Sequence, residues 1–405
     1  MSVKLVYVPI SEFGAIITGK TPKTEISEYW DGVVPFITPT DIPSFDTKYL
    51  LSTERTLSET GVASQKKTLL PINSLCVSCI ATIGKLCLTR VPSITNQQIN
   101  SIIINDDYNP NYLLNVFRYY LPYLQLIGGG TGSGTPIINK NKFSKLKYPV
   151  FKNKDIQNKI ALVLDNYDRL IENNNKRIRL LENMAESLYK EWFVRFRFPG
   201  HESTEFENEI PKGWEKARLR DIAFEAGKGR KKGDRENYNY YLPIDCIPNR
   251  NMALSEIDSI ENAESSLESF KKGNILFGAM RSYFHKVIIA PFDGLTRSTC
   301  FILSSKEKEY LSYLYLLLYQ DSTIDFSSVV SVGSTMPYVR WKDLNRLNVL
   351  VPSKEIIKKF NKIINPILQN ITESYFVNQN LIKQRDSLLP RLMSGKLSVE
   401  GKEIV

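Results

Sequence analysis

The sequence predicts an α+β protein in which two globular domains alternate with two long helices that pair as an antiparallel coiled coil. Three observations predict it. The chain repeats itself at an offset of about 200 residues, which is the signature of duplicated architecture. Each copy ends in a segment with apolar residues at three-to-four spacing, one face of a helix. Ahead of each helix lie short β-branched runs separated by long polar loops, which read as strands of an irregular sheet mixed with short helices.

The repeat is clearest where "GTPIINKNKFSKLKYPV" (Gly134 to Val150) meets "STMPYVRWKDLNRLNVLV" (Ser334 to Val351). A glycine-rich or serine-rich loop, a proline and a short strand recur, with Phe143 and Leu344, Leu146 and Leu347, and Val150 and Val351 in the same order. Upstream, "VPISEFGAIITGK" (Val8 to Lys20) parallels "ARLRDIAFEAGKG" (Ala217 to Gly229), and "LPINSLCVS" parallels "FKKGNILFG". "TNQQINSIII" (Thr95 to Ile104) stands where "TRSTCFIL" (Thr296 to Leu303) stands in the second half. The pseudo-two-fold order divides the sequence into a domain at 1–150, a helix at 151–197, a linker at 198–213, a domain at 214–351, a helix at 352–395 and a tail at 396–405.

Within the domains the probable strands are Leu75 to Cys79, Ile99 to Ile104, Ile275 to Met280, Val287 to Ala290 and Cys300 to Leu303. Helices are expected from Tyr112 to Ile127, broken at Pro122, and from Tyr310 to Tyr319. "NPNY" (Asn109 to Tyr112) resembles the Asn-Pro-Pro-Tyr of adenine methyltransferases. Asn replaces the third-position Pro, and no strand with a Gly-x-Gly cofactor loop precedes it, so it reads as a helix start with Pro110 in the first turn. The glycine run "GGGTGSGTP" (Gly128 to Pro136) lacks the preceding strand, the lysine and the following helix of a phosphate loop. Its recurrence in the second half makes it a turn joining each globular part to its helix.

The first long helix carries Ile160, Leu164, Ile171 and Trp192 on its apolar stripe. The second carries Phe360, Ile364 and Ile371, with Leu392 near its end. Two such stripes in one chain should bury each other. Asn173 to Asn175 interrupt the first stripe, as a polar layer that fixes register or as a solvated face. Pro366 and Pro390 should kink or divide the second helix, because proline removes a backbone donor. Unbroken, Asp155 to Phe193 would extend about 60 Å, the length of a ruler between two domains. The acidic linker "FPGHESTEFENEIPKGW" (Phe198 to Trp214) should be exposed.

Composition narrows the function. The chain has 405 residues, 42% hydrophobic and 24% charged, and a net charge of +10. That balance suits an ordinary globular protein with a polyanionic partner. No apolar stretch reaches the eighteen or so residues that cross a bilayer, and no signal region opens the chain, so it is expected in the cytoplasm without membrane contact. "CVSC" places Cys76 and Cys79 on opposite faces of a strand, and only His201 and His285 could add imidazole, so neither a metal nor a redox centre is expected. No catalytic serine, nuclease carboxylate cluster or nucleotide loop is present.

Basic and amide-bearing loops remain. "GKGRKKGDR" sets Lys228, Arg230, Lys231, Lys232 and Arg235 among glycines, fit for phosphates or a groove. Lys20, Lys23, Lys66, Lys67, Lys85 and Arg90 are the corresponding cations of the first domain. Asn96, Gln97 and Gln98 suit bidentate reading of adenine, Arg281 or Arg297 of guanine, and His285 is a further candidate for DNA contact.

On "YPVFKNKDIQNKIALVLDNYDRLIENN", "LYKEWFVRFRFPG" followed by "NEIPKGW", the terminal "LLPRLMSGKL", "VPFITPTDI" and "GNILFGAMRSYF", the chain resembles specificity subunits of type I restriction-modification systems over nearly its whole length. The resemblance implies two target recognition domains reading a split, asymmetric double-stranded DNA sequence, with the helix pair setting the spacing. It implies as partners two adenine methyltransferase subunits, which bind S-adenosylmethionine, and restriction/translocase subunits, which use ATP and magnesium; no cofactor is expected in this chain. Trp192, Phe193 and Leu392 are then candidates for holding the methyltransferase, although packing between the helices explains them equally well. The rival readings are a chain with its own methyltransferase or endonuclease activity, and a coiled-coil scaffold that binds only proteins.

Overall fold

A computed structural model describes residues 5–42, 48–50, 52–129 and 135–399. Contacts group the chain into two units, Met1–Ile171 with Asn380–Val405, and Glu172–Gln379. Both long helices pass from one unit to the other, so each unit holds part of each helix.

The first unit contains a four-stranded antiparallel sheet in the order Gly14–Thr18, Ile99–Ile104, Leu75–Ser78, Leu86–Leu88. A second sheet joins Arg55–Leu57, Trp30–Ile37 and Ile94–Thr95, and Val6–Pro9 pairs with Lys147–Val150. The second unit repeats this plan. Its four strands run Ala223–Glu225, Cys300–Ser305, Ile275–Gly278, Val287–Ile289; its second sheet joins Lys228–Arg230, Leu267–Phe270 and Gly294–Arg297; and Glu215–Arg218 pairs with Asn348–Val351. Two helices follow in each, Pro110–Tyr119 with Leu121–Gly128, and Leu311–Leu318 with Asp321–Val329. The sequence repeat is therefore a repeat of the four-stranded sheet and its flanking strand pair; the second sheet differs, with Trp30–Ile37 in the middle and parallel to Ile94–Thr95 in the first unit, and Leu267–Phe270 in the middle and antiparallel to Gly294–Arg297 in the second.

Local chemistry explains the boundaries. Asn109 is an N-cap whose side chain accepts a hydrogen bond from the Tyr112 N–H at 3.0 Å, with Pro110 in the first turn. "NPNY" is thus a helix start, and the Tyr112 hydroxyl is buried, accepting the Phe151 N–H at 2.9 Å. Cys76 and Cys79 fall into different apolar clusters on the two faces of their sheet, as strand alternation requires. The turn expected of the glycine run lies partly outside the described residues, at 130–134.

The long helices span Lys154–Tyr189, followed by a π-helical turn at Lys190–Val194, and Lys354–Met393. In the first unit Ile160 and Leu164 share a core with Leu392. In the second, Trp192 packs on Phe360, and Arg177 Nη2 donates to Asn370 Oδ1 at 3.1 Å, so residue numbers rise on one helix as they fall on the other. The segments pair antiparallel. Asn378 donates to Asn175 Oδ1 at 2.8 Å and accepts from Asn174 at 3.1 Å, which makes the asparagine run a polar layer between helices.

Two expectations hold only in part. Neither Pro366 nor Pro390 divides the second helix, which is continuous through both. Phe360, Ile364, Ile367 and Ile371 are all buried around Pro366; at roughly 1.5–3 kcal/mol each, their burial outweighs the roughly 3 kcal/mol cost of one interior proline. The linker is not exposed along its length: Phe198 and Trp214 are buried and stacked 5.4 Å apart, pinning both its ends to the second unit's core.

Candidate nucleic-acid interface

Hairpin tips organise the site in each unit. In the first, the chain leaves Leu75–Ser78 and returns at Leu86–Leu88; Ala81 is left-handed (φ 63°) and its N–H donates to the Pro136 carbonyl at 2.9 Å. In the second, the chain leaves Ile275–Gly278 and returns at Val287–Ile289; Arg281 is left-handed (φ 49°) and its N–H donates to the Pro337 carbonyl at 2.7 Å. The lysines that follow agree too. Lys85 Nζ donates to the Pro39 and Ile42 carbonyls at 2.9 and 2.6 Å, and Lys286 Nζ to the Ile244 carbonyl at 2.8 Å.

Among the first unit's candidates, Lys20 and Gln97 come together. The Lys20 N–H donates to the Thr95 carbonyl at 2.9 Å, and the Thr21 hydroxyl donates to Gln97 Oε1 at 2.6 Å. Both candidates are exposed, as are Lys23, Lys66 and Lys67, the last two on a separate short 3-10 helix. Arg90 is exposed, with its guanidinium over the Tyr49 ring. Two candidates are corrected. Lys85 spends its ammonium on loop carbonyls, and Asn96 is buried, its amide donating to Gln98 Oε1 and its Oδ1 accepting the Gln98 N–H. Asn96 and Gln98 shape the turn and leave Gln97 as the outward amide.

In the second unit Arg230 and Arg297 share one row of a sheet, either side of Leu267, which places them two strand spacings, about 10 Å, apart. Arg230 Nε donates to the Tyr238 hydroxyl at 2.9 Å, Arg235 to the Glu261 carbonyl at 3.0 Å, and Arg297 is exposed with a long contact of 3.4 Å to Ser265. Lys228 and Lys231 are exposed; the Lys232 side chain lies outside the described residues. Arg281 is half-buried, and its buried Nε has no hydrogen-bond partner. His285 is corrected. It is buried, with Nε2 2.8 Å from the Tyr319 carbonyl and Nδ1 3.6 Å from Asp321; burial lowers its pKa, and the Tyr319 contact opposes this in part. A buried, bonded imidazole braces the tip and is not presented at the surface.

The aromatic residues between Arg281 and His285 carry no sequence motif of a DNA contact. Tyr283 and Phe284 are 53% and 39% exposed, with ring centroids 4.8 Å apart. The signal was length: "RSYFH" (Arg281 to His285) holds one residue more than its counterpart "ATIG" (Ala81 to Gly84). A cleft of about 610 Å³ opens beside this tip, lined by Met280, Thr299, Tyr338, Arg340 and Lys342 among others.

On the helices, Ile160, Leu164 and Leu392 are buried in the first unit, Trp192, Phe360, Ile364 and Ile371 in the second, and Ile171 is half-buried. Trp192, Phe193 and Leu392 are thus interior residues and do not present themselves to a partner; Phe193 packs against Trp214, Tyr313 and Phe360. Other apolar side chains stay exposed, Leu162 and Leu170 in the first unit and Leu180 and Met184 in the second.

Among the described residues no His, Cys, Asp or Glu group could hold a metal, and no helix is long and apolar enough to cross a membrane. All five cysteines are free and buried, and burial pushes the Cys79 and Cys300 thiols up to about 11 and about 12.

Residues 3–183 and 211–384 match the family model of the type I restriction modification DNA specificity domain. The chain is 30% identical over 409 residues to the type I restriction enzyme MjaIX specificity subunit of Methanocaldococcus jannaschii, covering 96% of this chain and 93% of that protein. It is 34% identical over 180 residues to the HindI specificity subunit of Haemophilus influenzae, covering 43% of this chain and 38% of that one. Its fold is similar to the crystal structure of a type I restriction-modification S subunit from M. genitalium, with a TM-score of 0.61 at 15% identity and 96% of each chain covered. A duplicated scaffold matched by the family model in both halves leaves one conclusion: the chain belongs to the family of type I restriction-modification specificity subunits.

Proposed function

We propose that this chain reads a bipartite, asymmetric DNA target, one half-site through each unit, and delivers adenine methyltransferase subunits to it. The observation that carries the reading is one scaffold built twice with unlike loops. The four-stranded sheet and the hairpin hydrogen bonds recur, while the first unit has Ala81 at the position equivalent to Arg281 and the cation-rich segment from Lys228 to Arg235 has no counterpart of equal charge. Conserving backbone while changing presented side chains separates positioning from base reading. Net charge of +10 supplies the sequence-independent attraction to phosphates.

Two methyltransferase subunits and the restriction/translocase subunits are the inferred partners, working in the cytoplasm. S-adenosylmethionine would belong to the former, ATP and magnesium to the latter, and this chain would supply recognition without a catalytic group. Leu162, Leu170, Leu180 and Met184 are the exposed helix residues best suited to a protein partner.

Single-molecule sequencing of DNA from cells expressing the chain with its methyltransferase, against each alone, tests this. Methylated adenines in a split motif only when both are present are expected. Methylation by the chain alone would make it an enzyme; no methylation in any combination would favour a protein-binding scaffold.

A further inference from the structure

The two hairpin tips are built alike and finished differently. In the first unit Ile83 is buried, and a Cβ on Gly84 (φ 92°) would collide with Leu121, so the tip is tucked against its own helix. In the second, left-handed Arg281 and His285 bracket a 3-10 helix at Ser282–Phe284 that projects Tyr283 and Phe284. Left-handed backbone at two non-glycine residues is costly, and such strain persists where surrounding structure over-determines it. Here it does. Arg281 N–H is held by Pro337, Ser282 is buried, the His285 carbonyl accepts the Arg250 N–H at 2.9 Å, its ring is bonded to Tyr319, and Arg250 pairs with Asp321 at 2.9 Å.

Arg281 itself is half-exposed, and its buried Nε finds no hydrogen-bond partner among the described residues, so that nitrogen of the guanidinium is not committed to the fold. The tip's exposed side chains, Tyr283 and Phe284, are aromatic, and in a duplex an apolar side chain meets base edges such as the thymine methyl group rather than phosphates. Arginine pairs in bidentate fashion with guanine O6 and N7, and preorganisation limits what is lost on binding.

We infer that the tip from Arg281 to His285 is the base-reading element of the second unit, with Arg281 specifying one guanine of its half-site and Tyr283 and Phe284 lying against the edges of neighbouring base pairs. This rests on the proposed reading of a split DNA target. His285 is a positioning residue in this arrangement, acting through the tip it braces.

The test sequences methylated DNA made by the chain with its methyltransferase subunit, comparing wild type, Arg281→Ala and Arg281→Lys. Alanine is the residue the first unit carries at the same left-handed position, so Arg281→Ala should fold, and an intact first half-site in the same reads is the control. Lysine keeps the charge and loses the planar fork. Both variants should relax the motif at one G·C position of one half-site, roughly 5- to 150-fold. An unchanged motif in either variant overturns the inference, as does a loss in Arg281→Ala equal across all sequences that Arg281→Lys restores, since a phosphate contact behaves that way. Absence of any motif from the wild-type pair would instead remove the proposed function itself. If Arg281→Ala does not fold, Arg281→Lys alone decides.

Discussion

Arg385 on the second long helix donates from Nη1 to Asp168 Oδ1 on the first at 2.9 Å, although the two are 217 positions apart in the chain. Arg118 donates to Asp168 Oδ2 at the same distance, and all three side chains are less than a tenth exposed. Burial would raise the Asp168 pKa, but the two guanidiniums outweigh it and hold the carboxyl below its ordinary range. Asp168→Asn would leave two buried cations facing an amide, and should lower unfolding stability in urea by roughly 3–5 kcal/mol at neutral pH. Because the folded value is depressed, the stabilisation is complete above the unfolded carboxylate pKa and is lost as pH falls through the folded one. The gap between wild type and variant should close on acidification; a constant gap would exclude ionic origin.

Glu182 has the opposite sign. Its carboxylate accepts the Met252 and Ala253 N–H groups at 2.6 and 3.2 Å, yet burial keeps its pKa raised despite both bonds. A raised acid favours folding most in its protonated form, so its ionisation costs stability as pH climbs from the unfolded through the folded value. Glu182→Gln keeps an acceptor and should match or exceed wild type in thermal unfolding at neutral pH, with the advantage vanishing in acid. Glu182→Ala orphans two N–H groups and should lose about 1–3 kcal/mol. A Gln variant as weak as the Ala variant would show that the charge is needed.

Pro366 lies inside a continuous helix and cannot donate to the carbonyl one turn before it. Pro366→Ala should stabilise the protein by up to about 3 kcal/mol, read as a higher melting temperature. A lower melting temperature would mean that the ring is required by its neighbours.

Exposed Lys228 and Lys231 should contribute phosphate attraction without sequence information. Replacing either by Ala should weaken DNA binding of the assembled complex on every sequence and reduce the slope of log affinity against log salt by about 1, with the motif unchanged. Lys85→Ala should leave that slope alone and destabilise the segment whose Pro39 and Ile42 carbonyls it holds. A slope shallower by about 1 in Lys85→Ala would return that lysine to the DNA face.

Much of the fold was legible because it is local. Alternation and β-branching marked Ile99–Ile104 to the residue, and Asn109-Pro110 marked a helix start that the cap geometry reproduces. Strand order was not legible: Gly14 pairs with Ile104 through contacts remote in sequence, which periodicity does not encode. Pro366 misled for the same reason, since its cost is local and its compensation comes from side chains buried by the rest of the unit.

Two repeats, two long apolar helix stripes and a cation excess are fixed by the order of residues, since spacing and composition are properties of the chain. Only tertiary structure decided which way each polar group points. Lys85, Asn96 and His285 have the residue types of DNA contacts but are spent on loop carbonyls, a neighbouring glutamine and the carbonyl of a helix C-cap, while Gln97 is exposed with, among the described residues, only its Oε1 bonded, to Thr21, and Arg281 is half-exposed. A buried polar group must find a partner within its own fold before it can serve another molecule, and which partner lies within 3 Å or so is fixed by packing rather than by residue type.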